Sequence, residues 1–129
     1  KKFITKSIKY QNSIICGDRW IKKNSFIKYG FLSLILNKLA QKVIKTFISI
    51  NVNDFTFAYR IYPKDALKKC KISEFRNGWS LELLLCPYKK NYDFIAVPTN
   101  WTARREGEKS NVIKNYISFF KILIYYLIK

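Results

Sequence analysis

The chain has 129 residues, 49% of them hydrophobic and 17% aromatic, which is too apolar for a disordered polymer and enough for one small core. Lys and Arg number 25 against 8 acidic residues, a formal charge of +17, and there is no His, which excludes His-based zinc sites, His-containing catalytic triads and Cys–His pairs. Cys16, Cys70 and Cys86 are odd in number, widely spaced and free of any Cys-x-x-Cys pair, so neither a zinc site nor a disulfide framework is expected and a reducing compartment is the default.

Residues 1–10 read as the end of a helix, with Phe3, Ile4 and Ile8 among lysines, and Gln11-Asn12 breaks it. Ser13 to Cys16 is a short apolar run, the pattern of a buried strand, and Gly17-Asp18-Arg19-Trp20 reads as the loop at its end. From Tyr29 to Ser49, Leu32, Ile35, Leu36, Leu39, Val43 and Phe47 recur at spacings of three and four, which predicts an amphipathic helix of about five to six turns. Its wide apolar stripe suits either a core or a membrane surface. Phe55 to Tyr62 alternates as a strand does, and Pro63 opens a short helix. Asn77 to Lys90 is helical up to Pro87, Tyr92 to Val97 is a strand, and Pro98 to Lys109 is a polar loop. Asn111 can cap a last helix reaching Lys129, with Ile113, Tyr116, Ile117, Phe120, Leu123, Ile124 and Leu127 on it and lysines at 114, 121 and 129. That segment falls short of the ~20 uninterrupted apolar residues of a membrane span. It suits an interfacial helix, a lid on the core, or the lead into a span further on. Helices and about three strands alternate in an α/β pattern with an incomplete sheet.

Four blocks along this chain resemble, in order, those of the family-two glycosyltransferases, above all the polyprenyl-phosphate sugar transferases of the dolichol-phosphate mannosyltransferase-like branch. The first, Ile15-Cys16-Gly17-Asp18-Arg19-Trp20, is similar to the family's strand followed by Gly-Ser-Arg and an aromatic residue. Asn53 to Arg60 is similar to Asp-x-Thr-Ser-Gly-Phe-Arg, and Trp79 to Leu84 to Phe-x-x-Glu-Leu-Leu. Val97 to Ser110 is similar to Val-Pro-x-x-aromatic-x-x-Arg-x-x-Gly-x-Ser-Lys. Asp18 stands where Ser is common, Phe57 and Ala58 replace a small polar residue and Gly, and Lys109-Ser110 reverses the usual order. The family's Asp-x-Asp metal motif does not occur. The chain begins at Lys1 without a Met, so the nucleotide-binding half is expected upstream.

The resemblance implies an incomplete GT-A-like sheet with flanking helices, residues 1–110 being the acceptor-side part of a catalytic domain and 111–129 an amphipathic membrane-associated helix. It implies inverting transfer of a sugar from a nucleotide-sugar donor to a polyprenyl-phosphate acceptor, at the cytoplasmic face of a membrane. A divalent cation, magnesium or manganese, would offset the diphosphate charge, with its ligands upstream of Lys1 and none in this chain. An ionised phosphate acceptor needs cationic positioning more than a general base, and an Arg fork holds two phosphate oxygens. Arg19, Arg60 and Arg104 lie in the matched blocks and are the expected acceptor or diphosphate contacts. Asp54 and Glu82 are the carboxylates in motif positions. Asp54 would orient the acceptor or a metal-bound water, or act as base toward a hydroxyl, and Glu82 would face the site or pair with an arginine. Trp79 and Trp101 suit either stacking on a sugar or the core. Two other classes remain open: a non-catalytic remnant or membrane-binding subunit, and a basic nucleic-acid-binding module. No nucleic-acid-binding motif accompanies the charge, which A/T-rich codon drift also produces, so no nucleic acid is expected as partner.

Overall fold

The computed structural model describes residues 1–68, 70–72, 78–102 and 112–128. Within them the protein is mixed α/β, with four helices and two small sheets. Helix α1 (Lys2–Lys9) leads into β1 (Ser13–Asp18), followed by β2 (Phe26–Ile27), α2 (Phe31–Phe47), β3 (Arg60–Ile61), α3 (Trp79–Lys89), β4 (Asp93–Pro98), β5 (Trp101–Thr102) and α4 (Val112–Ile128).

The central strand is β1, which runs parallel to β4 from Ser13 opposite Asp93 to Asp18 opposite Pro98. On its other side it pairs antiparallel with β3, through Ile15 opposite Ile61 and Cys16 opposite Arg60. A strand covered on both faces reads as an unbroken apolar run, and Ile14, Ile15 and Cys16 are wholly buried. Side chains alternate across a sheet, so Ile14 and Cys16 point to one face and Ile15 to the other. On the first face they join one core with Ile44 and Ile48, with Leu81, Leu84 and Leu85 of α3, and with Ile122 and Leu123 of α4. Helix α1 covers the other face, where Lys6 Nζ donates to Ala96 O at 3.2 Å and the Phe3 and Tyr59 rings meet edge-on.

Five expectations from the sequence change, the first being the short helix opened by Pro63, which among the described residues is a turn over 64–68. The strand predicted over 55–62 pairs only at Arg60–Ile61, because the backbone before it is drawn elsewhere: Phe55 N–H donates to Gln41 Oε1 at 2.8 Å. Pro87 does not end α3, which continues to Lys89. Proline lacks only the N–H that would reach back to Leu83, and its fixed φ is compatible with a last helical turn. The segments around 26 and 101 form a two-residue parallel pair, Phe26 opposite Trp101 and Ile27 opposite Thr102. Finally, Cys70 and Cys86 are bonded as a disulfide, with Cα atoms 6.0 Å apart, and Cys16 is the free, buried thiol. Spacing along the chain hides this pair. The turn of residues 64–68 folds back beside the end of α3, where Lys90 Nζ donates to the carbonyls of Ala66 and Lys68.

Gly17 sits where the sheet has no room for a side chain. Its N–H donates to Tyr59 O at 2.8 Å, and a Cβ there would lie 2.9 Å from Phe57 Cε1 and 3.1 Å from Tyr59 O. The second contact is backbone and cannot swing away. Gly17→Ala is expected to lower stability by about 1–3 kcal/mol through overpacking. The denaturant midpoint measures this, and an unmoved midpoint would mean that β1 and the 57–59 segment separate freely.

Candidate functional site

Parallel strands β1 and β4 end together at Asp18 and Pro98, and open α/β sheets bind ligands beyond such carboxyl ends. The loops leaving this edge are tied to one another by their own backbones. Thr99 N–H donates to Asp18 O at 3.0 Å, and Trp101 N–H donates to Ser25 O at 2.8 Å.

At the centre lies the Arg19–Asp54 pair. Arg19 Nε donates to Asp54 Oδ2 at 2.5 Å, Nη2 to Oδ1 at 2.9 Å, and the Arg19 backbone N–H reaches Oδ2 at 3.3 Å. Asp54 is 0% exposed and Arg19 5%. Two-pronged pairing of this kind is among the stronger hydrogen-bonded contacts available to a carboxylate. Helix α2 supports it from below: Gln41 Nε2 donates to Thr56 Oγ1 at 2.9 Å, Asn37 Oδ1 at 3.0 Å and Asp54 Oδ1 at 3.4 Å. Asn37 and Gln41 lie one turn apart on the inner face of α2, so a helix chosen for its apolar stripe carries a buried amide pair.

Aromatic rings surround the guanidinium. Its carbon lies 4.5 Å from the centre of the Phe57 ring, 5.1 Å from Phe26 and 5.9 Å from Trp101, within cation–π range. Trp20 and Tyr29 extend the shell through Phe26, and Tyr29 also meets Trp101 edge-on at 5.1 Å. The β2–β5 pair holds Phe26 beside Trp101, which is the service that short pair performs.

Asp18 closes the same edge. Its carboxylate accepts from Trp20 N–H at 2.8 Å and from Asn53 N–H at 2.7 Å, which joins the loop after β1 to the segment that carries Asp54. Burial raises its pKa above the ordinary value, opposed by the two backbone donors.

Of the residues singled out in the sequence, Arg19 and Asp54 are brought into contact with each other. Arg60 lies one layer deeper: Nη1 donates to Ser80 O at 2.6 Å and Nη2 to Phe55 O at 2.7 Å, tying β3 and the Asp54 segment to the first turn of α3. Glu82 is buried on α3, two residues beyond Ser80. Trp101 belongs to the shell around Arg19, whereas Trp79 is partly exposed at the start of α3. Arg104 lies outside the described residues. Asp18, Asn37, Gln41, Phe26 and Tyr29 were not anticipated as members of the site. The sequence reads Gln41 among the polar residues opposite the stripe of Leu32, Ile35, Leu39 and Phe47, but packing turns the Asn37 and Gln41 side inward and leaves that stripe exposed.

The carboxylates described do not suit a divalent cation. Asp54 faces a guanidinium, Asp18 faces backbone N–H groups, and no group of three or more Asp, Glu or Cys side chains lies close enough to share an ion among the described residues. A polar hollow lined by Ser49, Asn51, Asn91 and Asp93 contains none of the predicted residues. No protein-family model matches the chain and no solved structure matches it.

Proposed function

We propose that this chain is the acceptor-side part of an inverting family-two glycosyltransferase of GT-A type, acting on a polyprenyl phosphate at a membrane surface. The observation that carries the reading is convergence. Four blocks, far apart in sequence and similar to the family's in order, meet at or just behind one sheet edge. Arg19 of the first is held by Asp54 of the second, Arg60 of the second grips Ser80 of the third, and Trp101 of the fourth lies over Arg19.

In this reading the Arg19–Asp54 pair is the rigid floor of an acceptor site, and the loop over residues 19–28 supplies cations on its rim. Lys22, Lys23 and Lys28 there are exposed, at the edge where a phosphate would enter. Arg104, in the fourth block, is the remaining candidate for a phosphate fork. The donor nucleotide and its magnesium or manganese ion are assigned to residues upstream of Lys1, and no step is derived through them. Helix α4 would hold the site near the lipid. Among the described residues no helix is long and apolar enough to cross a membrane.

The test joins the chain to the coding sequence upstream of Lys1 and measures transfer of labelled sugar from nucleotide sugars to a polyprenyl phosphate. Metal-dependent transfer is expected, with Arg104→Lys lowering kcat/KM at least about tenfold, the scale of one lost two-pronged contact, and leaving the melting temperature unchanged. An upstream sequence without an Asp-x-Asp, together with no transfer to any polyprenyl phosphate, would overturn the reading.

A further inference from the structure

The polar hollow lies at the end of the sheet away from Arg19, where the chain leaves α2 and where α3 turns into β4. Asp93, on its lining, is the first residue of β4 and lies opposite Ser13, whereas the candidate site lies beyond Asp18 and Pro98. Five steps of strand at about 3.3 Å put roughly 16 Å between the two ends, too far for one small ligand to reach both. Both walls of the hollow are held by the core. Ile48 and Val52 are buried on either side of residues 49–51, which pins that segment and leaves Ser49 and Asn51 exposed between them. Asn91 takes the left-handed conformation, with a φ of 59°. Its N–H and that of Tyr92 close the end of α3 by donating to Tyr88 O at 3.0 Å and Pro87 O at 3.2 Å, which fixes the turn into Asp93. The floor is Ile50, Tyr88, Tyr92 and Phe94, all in or packed against the main core. The hollow measures about 370 Å³, within the range of about 300–1,000 Å³ usual for small-molecule sites.

The lining selects its ligand by charge. Asp93 is its charged member, and among the described residues no Lys or Arg joins it, in a chain that has 25 of them. Lys89 and Lys90, just before Asn91, are engaged elsewhere: Lys89 Nζ lies 5.8 Å from the centre of the Tyr126 ring, and Lys90 Nζ donates to Ala66 O at 3.2 Å. An anion would meet a carboxylate and no cation in the lining. A cation would approach a chain of net charge +17. A neutral ligand rich in hydroxyls meets neither obstacle. The amides of Asn51 and Asn91 and the hydroxyl of Ser49 both donate and accept, and the Asp93 carboxylate accepts. These four side chains make no hydrogen bond or ion pair with another described residue, so that capacity is open to a ligand. The aromatic and aliphatic floor beneath them suits the C–H face of a sugar ring. We infer that this hollow is a second binding site, for a neutral hexose unit, separate from the site at the Arg19 edge.

The isotope-labelled chain is titrated with mannose, glucose and N-acetylglucosamine, with choline and inorganic phosphate as charged probes, and its backbone amide signals are followed by NMR. At least one sugar is expected to move the signals of residues 49–51 and 91–94 saturably, with a Kd on the order of millimolar, as suits a ligand of so few atoms. The signals of Arg19 and Trp101 should stay where they are. Asn51→Ala with Asp93→Ala should weaken binding about tenfold or more, since two hydrogen-bonding groups are lost and one of them is charged. Both positions are exposed, so the melting temperature should hold and mark the folded variant. Asp93→Asn keeps the side-chain shape and gives a second reading, a smaller loss of the same sign. No saturable movement at 49–51 and 91–94 with any of the three sugars would overturn the inference. So would choline or phosphate binding there in preference to sugar, or undiminished binding by the folded double variant. Sugar-induced shifts confined to Arg19 and Trp101 would overturn it too, because the ligand would then belong to the other end of the sheet. Binding here needs neither donor nor acceptor, so either result leaves the transferase reading where it stands.

Discussion

Replacing Asp54 with alanine is expected to lower the stability of the fold by about 3–5 kcal/mol, the range for removing one partner of a buried ion pair. The physical reason is the guanidinium left behind. Arg19 is almost wholly buried, its Nε and Nη2 are directed at the Asp54 oxygens, and aromatic rings occupy much of the space around it. Cation–π attraction is weaker than that carboxylate and cannot replace it. Gln41 would lose one of its acceptors in the same change. Chemical denaturation of Asp54→Ala, Arg19→Ala and the double variant measures the effect. The two changes should be strongly non-additive, the double variant costing less than the sum, because the second substitution removes the uncompensated charge created by the first. A loss under about 1 kcal/mol would place the pair in the range of exposed salt bridges. It would mean that water reaches Arg19 and that the guanidinium is free to serve a ligand directly.

The second large effect concerns Cys70 and Cys86. Opening the disulfide, by reductant or by Cys70→Ser with Cys86→Ser, is expected to remove about 3 kcal/mol, since a bridge spanning 16 residues withdraws that much chain entropy from the unfolded state. Thermal melting with and without reductant measures it. A thiol count supplies the independent check. The folded chain should expose no reactive thiol near pH 8, because burial pushes the Cys16 thiol up to about 11 and hides its sulfur. In denaturant without reductant a single thiol should react, and with reductant all three. Three reactive thiols in denaturant alone, with a melting temperature indifferent to reductant, would show the pair reduced in the isolated protein. The outcome also bears on location: disulfides persist in oxidising compartments, whereas the cytoplasmic face of a membrane expected from the sequence is reducing.

Arg19 and Asp54 show how much of the site local chemistry reveals. Each stood out in the sequence as a charged residue inside a motif, and each was assigned a ligand or a proton. The fold assigns them to one another first, across 35 positions of chain. Sequence reading cannot detect that pairing, because it depends on β3 and α2 both turning back to the end of β1. Asn37 and Gln41 are the converse case. Their spacing of four on an amphipathic helix was visible, yet only packing decides whether such a pair faces water or a buried carboxylate. Phe57, a departure from the family's small residue, has a clear place once the fold is known: its ring covers Arg19 and leaves Gly17 no room for a Cβ.

By itself the sequence determined a mixed α/β class, helices over 29–49, 77–87 and 111–129, a buried strand over 13–16 and another strand over 92–97, elements that the structure places at 31–47, 79–89, 112–128, 13–18 and 93–98. Those elements follow from hydrophobic period, which acts over a few residues and needs no distant partner. Tertiary structure alone decided the parallel register of β1 on β4, the two-residue β2–β5 pair, the Cys70–Cys86 bond and the enclosure of Arg19. Each of these is a contact between groups distant along the chain. Its energy depends on burial and on the exclusion of water, and neither exists until the helices and the sheet have closed around one core.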